Sequence, residues 1–276
     1  MAKGEFYVRF WGVRGSLPSP GPDTVEFGGN TPCVEMRCDD RVIVFDAGSG
    51  IRPLGEALLN ENVHSLDMFF SHFHYDHIGG LPFFAPFYRD ENEITVWAGH
   101  GRGEEMARDV FEGFMKPPFF PVPPEIFHAK LGYEDFEPGD DIDLGDGILI
   151  KTAALNHPGG AVGYRVEYAS KSICYITDTE HVPGKLDEDV LGLIHNADVM
   201  IYDATFCDEN YPQFEGFGHS TWQEGARLCE AAGTKTYVIF HHLPAMSDEK
   251  LRNREKEAQK LRKGSLVARE GMIIAP

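Results

Sequence analysis

Apolar runs of strand length dominate the chain, at Phe6–Phe10, Cys33–Arg37, Val42–Phe45, Asp67–Phe70, Ile94–Trp97, Ile148–Thr152, Val162–Tyr168, Ser172–Ile176, Val199–Asp203 and Thr236–Phe240. Helical periodicity is rarer. It predicts helices over Pro53–Asn60, over Gly103–Lys116 with Met106, Val110, Phe111, Phe114 and Met115 on one stripe, over Thr221–Ala232, and over Ser247–Lys263. The third has Ser220 and Gln223 at capping-box spacing before it and Gly233 after it. Strands followed by helices recur in each half, which predicts two packed sheets with helices on their outer faces. No solenoid-length repeat or low-complexity linker divides the 276 residues, so one domain is expected, built of two halves at roughly 1–130 and 131–276. The stretch Lys116–Phe127 carries five prolines and sustains neither a helix nor a central strand. It reads as an ordered crossover or lid, or else as a connection that packs Phe119 and Phe120 into the core.

Composition narrows the partners. With 42% hydrophobic residues the chain has a core to bury, and 25 basic against 44 acidic residues give a net charge of −19. Such a field repels a long polyanion, so long nucleic acid is not expected as a partner. No apolar leader opens the sequence and no stretch reaches membrane-spanning length, so the expected location is the cytoplasm, away from membranes. Five scattered cysteines, Cys33, Cys38, Cys174, Cys207 and Cys229, contain no Cys-x-x-Cys pair and predict free thiols rather than a disulfide frame or a thiolate metal site.

The most informative segment is Ser71-His72-Phe73-His74-Tyr75-Asp76-His77-Ile78-Gly79-Gly80, directly after a strand. Imidazole and carboxylate suit zinc, iron or manganese, and a loop leaving a strand turns alternate side chains toward one point. His72 and His74 can share one ion. Asp76 and His77, offset by the turn, face a second.

This H-x-H-x-D-H pattern resembles the metallo-β-lactamase-fold hydrolases, and the resemblance continues in order along nearly the whole chain. Asp46, in Phe45-Asp46-Ala47-Gly48, is similar to an upstream aspartate that supports the ligand loop. His157 and Asp178 match the next ligand and the bridging carboxylate. The last ligand falls within Phe240-His241-His242-Leu243-Pro244, where the family's placement of a proline or small residue after it favours His242 over His241. The resemblance thus implies His72, His74, His157 and Asp178 around one metal, and Asp76, His77, Asp178 and His242 around another. It implies a four-layer αββα sandwich of the α/β (α+β) class, with two divalent ions at one edge, zinc first and manganese or iron as alternatives.

Two more segments are similar to the ribonuclease Z-like phosphodiesterase branch: Ile201-Tyr202-Asp203-Ala204-Thr205-Phe206, with Asp203 where that branch has Glu, and Phe217-Gly218-His219-Ser220-Thr221. They imply His219 as a general acid at the leaving oxygen, held by Asp203. The glycine-bearing opening around Arg14, and Asn30 in Phe27-Gly28-Gly29-Asn30, resembles that branch's phosphate-holding loop, while Phe119 and Phe120 would wall an apolar substrate group. No basic arm for transfer RNA is present, and the expected substrate is a small, cyclic nucleotide-like phosphodiester attacked by a metal-bridging hydroxide. The competing readings are a hydrolase of a lactone, thioester or amide, and a non-catalytic metal-binding sensor. A homodimer is compatible with the sequence.

Overall fold

The computed structural model describes residues 4–99 and 106–276, without the side chain of Met106. The N-terminal Met1–Lys3 and the start of the helix expected from Gly103 lie outside the described residues. Among the described residues fourteen strands form two seven-stranded sheets. The first half of the chain gives β1 (Phe6–Gly12), β2 (Cys33–Cys38), β3 (Arg41–Phe45), helix α1 (Ile51–Asn60), β4 (Ser65–Phe69), the one-turn α2 (Tyr75–Ile78), β5 (Glu93–Ala98), α3 (Met106–Phe114) and β6 (Lys130–Asp135). The second gives β7 (Asp141–Gly145), β8 (Ile148–Leu155), β9 (Ala161–Tyr168), β10 (Lys171–Ile176), α4 (Glu188–Ile194), β11 (Val199–Asp203), α5 (Trp222–Ala232), β12 (Thr236–Phe240), α6 (Asp248–Leu261), β13 (Ser265–Val267) and β14 (Ile273–Ile274).

The strand orders are β14-β1-β2-β3-β4-β5-β6 and β13-β12-β11-β10-β9-β8-β7. In each sheet an antiparallel portion passes into a parallel one, at β3/β4 in the first and at β10/β11 in the second. The last strand, β14, returns to the first sheet beside β1. The inner faces meet in one apolar layer that includes Phe10, Phe45, Phe69, Tyr164, Tyr175 and Phe240. Outer layers form where α1 and α3 cover the first sheet and α4, α5 and α6 the second. This is the αββα arrangement.

Differences from the expected elements have local causes. Helix α5 is capped by Thr221, whose Oγ1 accepts from Glu224 N–H at 3.1 Å, one residue later than the Ser220/Gln223 pair. Ser220 instead turns inward, accepting from Tyr202 Oη at 2.9 Å. Gly233 does end α5, with φ 70°. The unpredicted β6 and β7 are edge strands carrying polar, exposed positions, so their apolar alternation is weak. Helix α4 is short but capped, Asp187 accepting from Asp189 N–H and Val190 N–H. The proline-rich 116–127 stretch stays outside both sheets. Phe119 is 70% exposed and Phe120 packs edge-on to Phe83, so neither enters the core. All five cysteines are free.

Candidate metal centre

The ligand-type residues come from strand ends. Asp46 follows β3, the His72–His77 segment follows β4, His157 follows β8, Asp178 follows β10, Asp203 ends β11 and His241 follows β12. Parallel strands whose carboxyl ends share one edge expose such residues together. Beneath them Phe45, Phe69, Tyr164 and Tyr175 pack with ring centroids 5.2–5.6 Å apart. Their hydroxyls tie the two sheets to the site: Tyr164 Oη donates to Phe70 O at 2.5 Å, and Tyr175 Oη to Asp46 Oδ2 at 2.8 Å.

Two groups of donors result. In one, His72 Nε2 lies 2.9 Å from His74 Nδ1, and His157 Nε2 lies 3.1 Å from the same atom. In the other, His77 Nε2 is 3.4 Å from Asp76 Oδ2 and 3.2 Å from Asp178 Oδ2, while His241 Nε2 is 3.3 Å and 3.4 Å from the same two oxygens. Asp178 also turns Oδ1 toward the first group, 3.8 Å from His72 Nε2 and 4.0 Å from His157 Nε2.

The outer nitrogens fix the tautomers. His77 Nδ1–H donates to Asp46 Oδ2 at 2.8 Å, and Ser71 Oγ donates to the same oxygen, which leaves Ser71 Oγ to accept from His72 Nδ1 at 3.1 Å. His157 Nδ1–H donates to Gly218 O at 2.7 Å. Thr205 Oγ1 donates to Asp203 Oδ1 at 2.7 Å and so accepts from His241 Nδ1 at 3.0 Å. In all four rings the Nε2 lone pair therefore faces the cluster.

This donor set fits divalent cations. His77 Nε2 and His241 Nε2 each lie 3.2–3.4 Å from Asp76 Oδ2 and Asp178 Oδ2, the spacing expected of nitrogen and oxygen atoms that share one ion with bonds of about 2 Å. His77 Nε2 is buried and finds no hydrogen-bond partner among the described residues. The electrostatics agree. Burial disfavours a charged His77, yet Asp178, Asp76 and Asp46 together push its pKa well up, so the site attracts positive charge. Burial, with the neighbouring imidazoles, pushes the pKa values of His72, His74 and His157 down, which keeps their lone pairs available.

His219 stands beside this cluster, its Nδ1 2.9 Å from Asp203 Oδ2 and 3.6 Å from Asp178 Oδ1. Burial opposes its charge, but Asp203, by charge and hydrogen bond, outweighs burial and raises the pKa to about 9. Asp203 is fully buried and held on its other oxygen by the Thr205 amide and hydroxyl.

Some expected residues are not in the site. His242, favoured over His241 as the last ligand, points away: its Nε2–H donates to Ala268 O at 2.8 Å, and burial lowers its pKa to about 3. The reason is backbone geometry, because His241 leaves β12 with φ 61° and turns its own ring inward. Arg14 does not face the cluster for phosphate contact. It is fully buried, donating to the carbonyls of Gly28, Leu243 and Met246. Asn30 is likewise committed, its Nδ2 donating to Glu270 and its Oδ1 accepting from Ser49. The opening loop serves the site differently, through Ser16 N–H, which donates to Asp76 Oδ2 at 2.6 Å. Sequence reasoning also passed over Ser71 and Thr205, though both lie inside segments that it singled out.

Residues 41–242 match the family model described as the beta-lactamase superfamily domain. A ribonuclease Z of Thermoplasma acidophilum is 23% identical over 87% of this chain and 87% of its own. Among solved structures, the metallo-beta-lactamase fold protein YhfI from Bacillus subtilis superposes with a TM-score of 0.75 at 17% identity, covering 99% of both chains. A diphosphatase from the PhnP family superposes with a TM-score of 0.72 at 17% identity, covering 99% of this chain and 98% of that one. The matched residues, the two facing sheets and the histidine–aspartate cluster at their shared edge together establish that the chain belongs to the beta-lactamase superfamily domain family, as a metal-dependent hydrolase of the metallo-β-lactamase fold.

Proposed function

We propose that the protein is a phosphodiesterase acting on a small phosphodiester at a dinuclear divalent-metal site. His72, His74, His157 and Asp178 would hold one ion, and Asp76, His77, Asp178 and His241 the other. Bound there, divalent cations supply Lewis acidity toward phosphoryl oxygens and acidify water. The observation that carries the reading is the His219–Asp203 pair at 2.9 Å beside Asp178. With Nδ1 engaged by Asp203, His219 presents Nε2–H to the leaving oxygen, and Asp203 stabilises the imidazolium until that proton is given up. A metal-storing or sensing scaffold has no use for such a pair. The phosphorus–oxygen chemistry named for the ribonuclease Z relative and the diphosphatase neighbour supports the same bond class. His74 is exposed, so the cluster opens to solvent on that side, where Tyr75, next in sequence and 71% exposed, offers an apolar ring to a base or aryl group.

The test compares aryl and alkyl phosphodiesters, with a lactone as control, using zinc-loaded protein. His219→Ala should slow the alkyl diester by about 10²- to 10⁴-fold and the aryl diester, whose phenolate leaves unaided, far less. Equal losses on both would remove the general acid, and faster turnover of the lactone than of any diester would overturn the bond class.

A further inference from the structure

The loops bearing His157, Asp178 and His219 meet at one side chain to which nothing above assigns a role, Glu180. Its carboxylate accepts from Gly216 N–H, at 2.8 and 2.9 Å from its two oxygens, and from Gly218 N–H at 2.7 Å. Its backbone is tied to the residue before His157: Glu180 N–H donates to Asn156 O, and Asn156 Nδ2 donates to Glu180 O, both at 2.8 Å. Glu180 lies two residues after Asp178 on the same strand exit. The turn it grips presents Gly218 O to His157 Nδ1 and carries His219 next in sequence.

The chemistry of the turn calls for an anion. Gly216 and Gly218 have φ of 89° and 82°, so their N–H groups converge, as in backbone concavities that bind negative groups. Gly218 has no room for a side chain, since a Cβ there would lie 2.4 Å from His157 Nδ1. Position 218 can therefore offer no side chain of its own to steady the turn, and the observed clamp, Glu180, reaches it from another loop. A carboxylate satisfies both N–H groups at once. A carboxamide satisfies them with one oxygen and faces them with an N–H₂ on the other side.

We infer that Glu180 is a positioning residue that sets the ring orientation of His157 and the placement of His219 through the 216–218 turn. Its metal arm stands without the phosphodiesterase reading, whereas its leaving-group arm rests on that reading. Glu180→Ala should weaken zinc binding about 10-fold or more, measured by competition with a chromophoric chelator, because His157 loses its fixed orientation. On diesters kcat should fall about 10- to 100-fold with KM little changed, and the alkyl substrate should lose more than the aryl one. Glu180→Gln, keeping one acceptor, should fall between, and it supplies both readouts should the alanine variant fail to fold by circular dichroism. Wild-type zinc affinity in a folded variant overturns the His157 arm. Equal aryl and alkyl losses overturn the His219 arm. If wild-type protein cleaves no diester, the proposed function falls while the zinc competition still decides the role of Glu180.

Discussion

Asp46, Asp178 and His241 share a backbone property, φ of 61°, 54° and 61° in the left-handed region. Each such non-glycine residue costs on the order of 1 kcal/mol and persists only where its surroundings over-determine it. Here those surroundings are hydrogen bonds: Ser71, Tyr175 and His77 on Asp46, Thr177 on Asp178, Thr205 on His241. The strain turns each side chain from its strand into the shared edge. Adjacent histidines therefore face opposite ways, His241 toward Thr205 and Asp76 and His242 toward Ala268 O. His241→Ala should reduce bound zinc at the Asp76 side while leaving the fold intact. His242→Ala should keep the zinc stoichiometry and lose about 1–3 kcal/mol of stability, because Ala268 O is left buried without its donor. Elemental analysis with denaturant melts separates the two, and a zinc loss confined to His242→Ala would reverse the assignment.

Strands β10, β11 and β12 carry chemistry at one end and a structural clamp at the other. Asp198, just before β11, accepts from Ser172 N–H at 2.9 Å and pairs with Lys235 Nζ at 2.6 Å and Lys171 Nζ at 3.5 Å, fastening the starts of all three strands. Burial raises its pKa, but the Lys235 and Ser172 hydrogen bonds and the two ammonium charges outweigh that and hold it below the usual carboxylate range. Because the folded value is the lower one, the clamp stabilises fully above the unfolded pKa, about 4, and fades as pH falls through that value toward the folded one. Asp198→Asn should cost about 1 kcal/mol at pH 7, a modest figure because both lysines are partly exposed. The gap between wild type and variant should shrink below pH 4 in denaturant melts. A gap that widens on acidification would mean the sign is wrong.

Over the whole molecule the net charge of −19 acts on what can approach the site. A small diester brings one charge for the proposed metal site to neutralise, whereas every further phosphate of an RNA meets the acidic surface. Turnover of cyclic mononucleotides or aryl diesters should therefore exceed that of precursor transfer RNA per cleavable bond. Raising the salt should narrow the difference by screening the polyanion. The opposite outcome, faster processing of transfer RNA at low salt, would show that local contacts overcome the field.

Much of the fold could be read from the chain because buried strands announce themselves locally. Runs such as Val199–Asp203 and Thr236–Phe240 are the observed β11 and β12 to the residue. The donors of His72, His74, Asp76 and His77 were equally legible, being packed into one short segment whose chemistry has few other uses. Edge strands β6 and β7 were not, since half-exposed positions dilute the apolar alternation. Nor was the partner of each ring. Whether His241 or His242 turns inward depends on one φ angle, and the burial of Arg14 depends on carbonyls 229 and 232 residues away. Glu180 looks like an ordinary surface acid until the 216–218 turn is seen folded against it. Residue type and local spacing determined which chemistry is available, because donor character and apolar periodicity are properties of short segments. Which neighbour each group faces was decided only in the tertiary structure, where strand exits from two sheets meet.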